Sequence, residues 1–294
     1  MATIVQLVLN SLVAGTGYGL LAVSFAVVYN VTHFYNFLQA AVYTIAAYIA
    51  FTLLTVMSGG APLAILCAVL GAGLLGGLME LCVYTRIRAR TGSPDILLLT
   101  SLGLLVALQN CVSLVFGDEV KMLAGWNPRE GFSFLGGRIT GIQATTVVVC
   151  FVLYAAVAWG LRHTSFGKAL RAVGSDATLA TSCGVNSAQI IVGASFVGSA
   201  LVGMVAVLAA YDTGLQPTMG FNALLMGIVG MIVGGIGTIT GAFVGGLAIG
   251  FVQQASAWLL PSKWQDAIVF LTLMLVLLLR PQGILGSAVR RRDV

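Results

Sequence analysis

The chain has 294 residues, of which 59% are hydrophobic and only 8% are charged, with a mean hydropathy of +1.03 and a net charge of +5. A soluble domain carries roughly 25% charged residues, so this chain could not cover its own surface in water. The positive charge sits in short loops and the tail, where it reports orientation rather than nucleic-acid binding.

Taken in chain order, the apolar runs predict helical spans at 4–29, 36–57, 62–84, 95–116, 142–161, 188–211, 222–236, 239–259 and 266–280. A span needs about 20 apolar residues; the seventh is short, and full crossing and re-entrant half-helix both remain open for it. A membrane barrel would alternate apolar and polar over about 10 residues per strand, and these runs are apolar on every side. The expected architecture is therefore an all-α polytopic bundle of eight or nine spans forming one membrane domain over 1–294. No basic segment precedes the first span, so a cleaved signal peptide is not expected.

Basic residues set the orientation. Arg86, Arg88 and Arg90 follow the third span, Arg162, Lys168 and Arg171 the fifth, and Arg280, Arg290, Arg291 and Arg292 the last. By the positive-inside rule these places are cytoplasmic. The loop 117–141 balances Asp118, Glu119 and Glu130 against Lys121, Arg129 and Arg138, so it is assigned outside. Nine spans then put the N-terminus outside and the C-terminus inside.

Glycines recur four apart at Gly15/Gly19, Gly73/Gly77, Gly230/Gly234, Gly237/Gly241/Gly245 and Gly246/Gly250. That spacing is about one helical turn, and a bare face lets two backbones approach closely in lipid. The run from Gly230 to Gly250 predicts a tight helical hairpin turning at 234–237. Between the fifth and sixth spans, residues 162–187 carry helix punctuation. Thr164 or Ser165 caps one short helix, Ser175 or Asp176 a second, and Gly184 suits the C′ position of that second helix. Ala177, Leu179, Ala180 and Cys183 would form the second helix's apolar face. The pair reads either as an amphipathic linker on the bilayer surface or as a docking element for a soluble partner.

The search for chemistry is empty. Cys67, Cys82, Cys111, Cys150 and Cys183 include no CxxC pair and read as apolar packing residues. His33 and His163 lack metal-ligand company, and no catalytic motif or G-x-x-x-x-G-K-[ST] phosphate loop is present. Glu80, Asp95, Asp212, Lys263 and Asp266 all fall near predicted span ends, which argues against ion coupling through a mid-membrane charge.

Four segments resemble one family in the order it keeps them. Arg162-His163-Thr164-Ser165-Phe166-Gly167-Lys168-Ala169-Leu170-Arg171-Ala172, with Asp176, Ala180 and Gly184-Val185-Asn186, is similar to the coupling-loop signature of branched-chain amino acid ABC transporter permeases. Residues Gly234-Gly235-Ile236-Gly237-Thr238 through Gly245-Gly246 resemble that family's glycine hairpin. Arg280-Pro281-Gln282-Gly283-Ile284-Leu285-Gly286 resembles its closing motif, and Thr100-Ser101-Leu102-Gly103 is a weaker fourth match. Near the second span Asn36, Phe37 and Tyr43 fit, while Leu38, Gln39 and Ala40 replace the family's Ala-His-Gly. That departure bears on the substrate rather than the fold.

The resemblance implies a membrane subunit of an importer in the bacterial inner membrane, without an ATPase site of its own. ATP and magnesium would sit on two cytoplasmic ATP-binding subunits. A second permease subunit, copy or paralogue, would complete the pathway, and a periplasmic binding protein would deliver the solute. Branched-chain amino acids are the expected cargo, with urea, amides and small organic acids as alternatives. Lys168, Arg171, Asp176, Ala180 and Gly184 are expected at the ATPase contact. Asn36, Gln39, Tyr43, Thr100 and Ser101 are expected along the path, where they could hydrogen-bond a polar solute without a fixed charge in lipid. Gly234, Gly237, Gly241 and Gly245 are expected to pack helices. A self-sufficient carrier or channel, or a non-transporting membrane scaffold, would explain the hydrophobicity equally well but would not need the capped helix pair.

Overall fold

The computed structural model describes residues 2–56, 60–91, 93–123, 131–134 and 137–286. Twelve α-helices follow in order: α1 (Ala2–Thr32), α2 (Leu38–Val56), α3 (Ala61–Met79), α4 (Thr85–Thr91), α5 (Pro94–Phe116), α6 (Gly141–His163), α7 (Ser165–Ser175), α8 (Ala177–Ser182), α9 (Ser187–Thr213), α10 (Met219–Gly234), α11 (Ile239–Leu259) and α12 (Gln265–Leu279). A π-turn, Glu80–Tyr84, joins α3 to α4, and a 3-10 turn, Ser262–Trp264, precedes α12. Among the described residues, seven helical stretches are long and apolar enough to cross a membrane. The expected short seventh span is α10, of 16 residues, and at 1.5 Å per residue it extends about 24 Å.

Two expectations are corrected. The third span does not end at 84: the helix runs through the π-turn and α4 to Thr91, so Arg86, Arg88 and Arg90 are helical rather than loop residues. Glu80, expected near a span end, lies inside the candidate span Ala61–Arg90, about ten residues or roughly 15 Å of helix from its end. The loop 117–141 also carries a hairpin, β1 (Gly131–Phe134) antiparallel to β2 (Gly137–Thr140), pairing Gly131 with Thr140 and Phe134 with Gly137. The Phe-Ser-Phe alternation ahead of Gly136-Gly137 is its sequence signal. Arg129 and Glu130, counted in that loop's charge balance, lie outside the described residues, as do Arg290, Arg291 and Arg292.

The chain divides into two compact units, the first comprising Met1–Ala26, Gly131–Tyr154 and Leu225–Val294, the second Val27–Glu130 and Ala155–Leu224. In the first, glycine faces meet in pairs. Cβ atoms added to Gly246 and Gly250 of α11 would overlap the backbone of α1 at Gly19 and Gly15. A Cβ on Gly230 would fall 2.9 Å from Gly246 Cα, against the 3.5–4.0 Å that carbon atoms need. Met226, Val229, Val233, Ile249 and Val269 form a core beside this contact.

The second unit packs α2, α3 and α9 around Ala50, Ala68 and Val207. Small residues again set the spacing. Gly73 and Gly77 lie against Phe196, and Gly203 against Ala72 and Ala46. A short bridge between Lys121 and Leu215 joins the segments that follow α5 and α9, and the Lys121 ammonium stands over the Phe51 and Phe116 rings at 5.6 and 5.4 Å.

Candidate functional site

The α1–α2 connection, residues 33–37, is where the second unit concentrates polar groups. It opens with His33 at φ +54°, the sole non-glycine residue with positive φ among those described. A side chain makes that conformation costly by about 1–2 kcal/mol. Asn36 is buried, and its Oδ1 accepts from the Leu38 N–H at 3.1 Å and from the Tyr84 hydroxyl at 3.1 Å. The first contact satisfies an orphan donor at the start of α2, as an N-cap does. Ser101 Oγ of α5 accepts from the Phe37 N–H at 3.2 Å and donates to the Leu98 carbonyl at 2.7 Å. Asn36 and Ser101 therefore meet on one backbone segment. Gln39 and Tyr43 are buried on α2, one and two turns further on. Thr100 stands apart: its hydroxyl bonds the Ile96 carbonyl of its own helix at 2.8 Å.

Beside this segment lies a buried ion pair that the sequence reading missed. Glu80 Oε1 is 2.9 Å from Arg88 Nη1, with the Glu80 side chain 1% exposed and that of Arg88 28%. Ser195 Oγ of α9 donates to Glu80 Oε2 at 3.4 Å. Arg88 Nη2 is buried without a hydrogen-bond partner in the described structure. Between the two charged residues, Tyr84 is fully buried and packs its ring 5.4 Å from that of Phe34. The signal was the Glu80, Tyr84, Arg88 spacing of four, which puts the three on neighbouring positions of a helix surface. Hydropathy alone ends the span at 84 and assigns the arginines to a loop, which hides this spacing.

The segment 162–187 forms two helices with defined caps. Thr164 Oγ1 accepts from the Gly167 N–H at 3.1 Å at the start of α7. Asp176 caps α8, its Oδ1 accepting from Thr178 N–H at 2.9 Å and Leu179 N–H at 3.0 Å. At the other end Gly184 has φ +86°, and the Gly184 and Val185 N–H groups donate to Thr181 and Ala180 at 3.0 and 3.1 Å. That is a Schellman ending. Arg171 donates to the Leu161 carbonyl and so satisfies one of the orphan acceptors at the end of α6. Of the five residues expected at the ATPase contact, Arg171, Asp176 and Gly184 thus hold the segment's shape, Ala180 is buried, and Lys168 is exposed. The expected apolar face is divided: Ala180 turns inward, while Ala177, Leu179 and Cys183 are exposed, Leu179 by 61%.

Three contacts seat α7 on its neighbours. Gly167 lies against the Leu161 backbone, Phe166 covers Gly193 of α9, and a Cβ on Gly174 would fall 2.5 Å from the Asn30 carbonyl oxygen of α1. Leu170 and Val173 are buried beneath.

In the first unit the glycine hairpin turns over 235–238, one residue later than expected, because Gly234 is still helical. Gly235 and Gly237 have φ +119° and +93°. Gly234, Gly241 and Gly245 form the contact between α10 and α11, while Gly237 serves the turn. The segment Arg280–Gly286 closes on this hairpin: Ile284 and Leu285 N–H donate to the Val233 and Gly234 carbonyls, each at 2.9 Å. Two motifs far apart in sequence thereby complete one helix end. No group of three His, Cys, Asp or Glu able to hold a metal occurs among the described residues.

Seven long apolar helices and buried glycine contacts define a multi-pass helical membrane protein. The family described as branched-chain amino acid transport system / permease component matches residues 7–278, and the chain belongs to it. Permease protein BraD of the high-affinity branched-chain amino acid transport system of Pseudomonas aeruginosa is 31% identical over 294 residues, 96% of this chain and 95% of that protein. Permease protein LivH of the corresponding Escherichia coli system is 30% identical over 297 residues, with the same coverage of 96% and 95%. The autoinducer 2 import system permease LsrC of Yersinia pseudotuberculosis is 30% identical over 151 residues, 49% of this chain and 42% of that protein. No solved structure matches.

Proposed function

We propose that the chain is the membrane-spanning subunit of an ATP-binding cassette importer that carries branched-chain amino acids, or a related small polar solute, across the bacterial inner membrane. The names of BraD and LivH support the solute class, since both align with this chain almost end to end. LsrC, matching half the chain, serves a different solute, so urea, amides and small organic acids stay as alternatives.

The structural observation that carries the reading is the α7–α8 pair. Both helices are capped at their N-termini, α8 is closed by a Schellman turn, and α7 meets α6 and α1 backbone to backbone at Gly167 and Gly174. Such a segment moves as a body. It offers Lys168, Leu179 and a shallow depression lined by Ala177, Thr178, Thr181, Ser182 and Ser187 to a soluble partner. ATP and magnesium bind to two cytoplasmic partner subunits, which dock here. A second permease and a periplasmic binding protein complete the machine, with the N-terminus outside and the C-terminus in the cytoplasm. Closure of the ATPases displaces α7–α8, and helices faced with glycine slide to change access. Asn36, Gln39, Tyr43 and Ser101 stand along the path of the solute, with Thr100 at its margin.

Purification of the tagged chain in mild detergent, followed by mass spectrometry, tests this reading. Recovery of two ATP-binding subunits and a second permease, with uptake in liposomes that needs ATP and the binding protein, is the expected result. Uptake by the chain alone without ATP would replace the importer with a self-sufficient carrier or channel.

A further inference from the structure

Three unfavourable features converge on one place in the second unit. Glu80, fully buried, and Arg88, partly buried, form an ion pair inside an apolar span. The helix that carries them breaks into a π-turn between them. Three residues before Asn36, the residue that Tyr84 of that turn contacts, His33 holds a left-handed backbone.

None of the three is what stability alone selects. Desolvation of a buried pair offsets much of its attraction, and apolar replacement of both partners is often neutral. This pair is not even a two-pronged fork, since Arg88 Nη2 has no partner in the described structure. π-turns are rare and cluster at functional sites, and ionisable groups inside apolar spans mark functional positions by default. Strained backbone persists where the surroundings over-determine it.

The geometry connects them. The π-turn is closed by the Thr85 N–H and hydroxyl, both donating to the Glu80 carbonyl, the hydroxyl at 2.9 Å. Glu80 stands at its start and Arg88 one turn beyond its end, so the ion pair straddles the turn and clamps it. One residue added to a helical turn rotates the following face by about 100°. That rotation is what the clamp preserves, and Tyr84, the last residue of the turn, donates to Asn36. Asn36 in turn caps α2. Ser195 anchors the carboxylate to α9 from the other side.

We propose that Glu80 and Arg88 are a positioning pair for solute transport: clamped across the π-turn, they aim Tyr84 at Asn36 and hold the α1–α2 connection in its working path. The proposal rests on the transport reading above, and the pair acts on the solute through the connection rather than by touching it.

The test uses the complete importer as purified, reconstituted in liposomes. Three quantities are read: the uptake rate per ATP hydrolysed, the KM for the binding-protein-delivered solute, and the thermal stability of the complex. Arg88→Gln strands the buried Glu80 carboxylate and Glu80→Gln leaves the partly exposed Arg88 without its partner, and each lowers both stability and uptake. The double variant Glu80→Gln/Arg88→Gln strands none. It is expected to regain parental stability and KM while uptake per ATP stays down by about tenfold, the rate equivalent of one buried hydrogen bond lost from the transport step. Tyr84→Phe leaves the ion pair intact and is expected to show the same uncoupling, which decides the matter if the double variant fails to assemble. A double variant as stable as the parent that also transports within about twofold of it overturns the proposal, as does Tyr84→Phe with parental uptake. If the parent itself moves solute without ATP, the importer reading fails. The positioning claim then stands or falls on the same variants measured by ATP-independent uptake.

Discussion

Replacing Gly245 by alanine should be among the most damaging single-methyl changes in the chain. Gly245 lies on α11 where it crosses α10, and an added Cβ would overlap the Gly230 carbonyl and come within 2.6 Å of Gly234 Cα. Carbon atoms need about 3.5 Å, so the helices must part by roughly 1 Å, and a gap of that size forfeits a quarter to a half of the dispersion attraction of the pairs it opens. Overpacking typically costs 1–3 kcal/mol. Here every obstructing atom is backbone and cannot rotate away, so the cost should reach about 3 kcal/mol. In a chain of this size that corresponds to a fall in Tm of roughly 5 °C. The control is Gly160→Ala in the last turn of α6, where an added Cβ meets nothing within 4 Å; alanine within a helix is favoured over glycine by up to about 0.5–1 kcal/mol. Thermal unfolding of the two purified variants in the same detergent should therefore give shifts of opposite sign. A Gly245→Ala protein as stable as its parent, or a Gly160→Ala protein equally damaged, would refute the close-packed hairpin.

Asp176→Asn should retain transport and Asp176→Ala should reduce it, because asparagine caps a helix as well as aspartate does, whereas alanine loses about 1 kcal/mol; loss of uptake in both would assign the carboxylate's charge, not its cap, to the ATPase contact. Gly184→Ala places a side chain at φ +86° and should cost about 1–2 kcal/mol, read as earlier proteolysis at α8 with the membrane helices intact. Ser101→Ala strands the Phe37 N–H and should destabilise the chain by about 1–3 kcal/mol in detergent unfolding. Thr100→Val, whose lost hydroxyl bonds its own helix, should leave stability unchanged, so any fall in its uptake would place Thr100 on the solute path.

The spans were legible because length and apolarity alone decide them. Each of the nine predicted runs lies within a few residues of a helix, including the short α10 and α12. The cap residues Thr164 and Asp176 and the αL position of Gly184 were legible for a similar reason: capping is local chemistry. What local reasoning missed was the identity of partners. Arg171 reads as a free cytoplasmic charge until α7 folds back and sets it against Leu161. Asn36 and Ser101 lie far apart in the sequence, and only the fold shows that both bond the same connection. Glu80 and Arg88 are hidden because hydropathy ends a span at its first cluster of charge, whereas the helix continues through Arg86, Arg88 and Arg90 to Thr91. The hairpin 131–140 had its alternation and its glycines, but a short strand pair is a faint signal beside helices of 23 residues.

In the proposed importer, α7 and α8 would have to pass a displacement to the membrane helices, and the second unit supplies a short route for it. A force carried by long side chains is lost in rotamer changes, while one carried by backbone is not. Glycine brings α7 to backbone contact with two of its neighbours: Gly167 meets the end of α6 and Gly174 the Asn30 carbonyl of α1, while on α9 Gly193 lets the Phe166 ring seat. Asn30 is three residues from His33, where the strained connection begins, and six from Asn36, which Tyr84 holds. A displacement of α7 therefore arrives at the α1–α2 connection after one backbone contact and a few peptide units. The connection carries the left-handed His33 and is held by Tyr84 of the π-turn, so a push there is passed to the helix that bears Glu80 and Arg88. On this account the glycines at 167 and 174 matter for coupling as much as for packing. Gly174→Ala should lift α7 from Asn30 and lower uptake per ATP hydrolysed while ATPase activity persists; tight coupling in that variant would place the transmission route elsewhere.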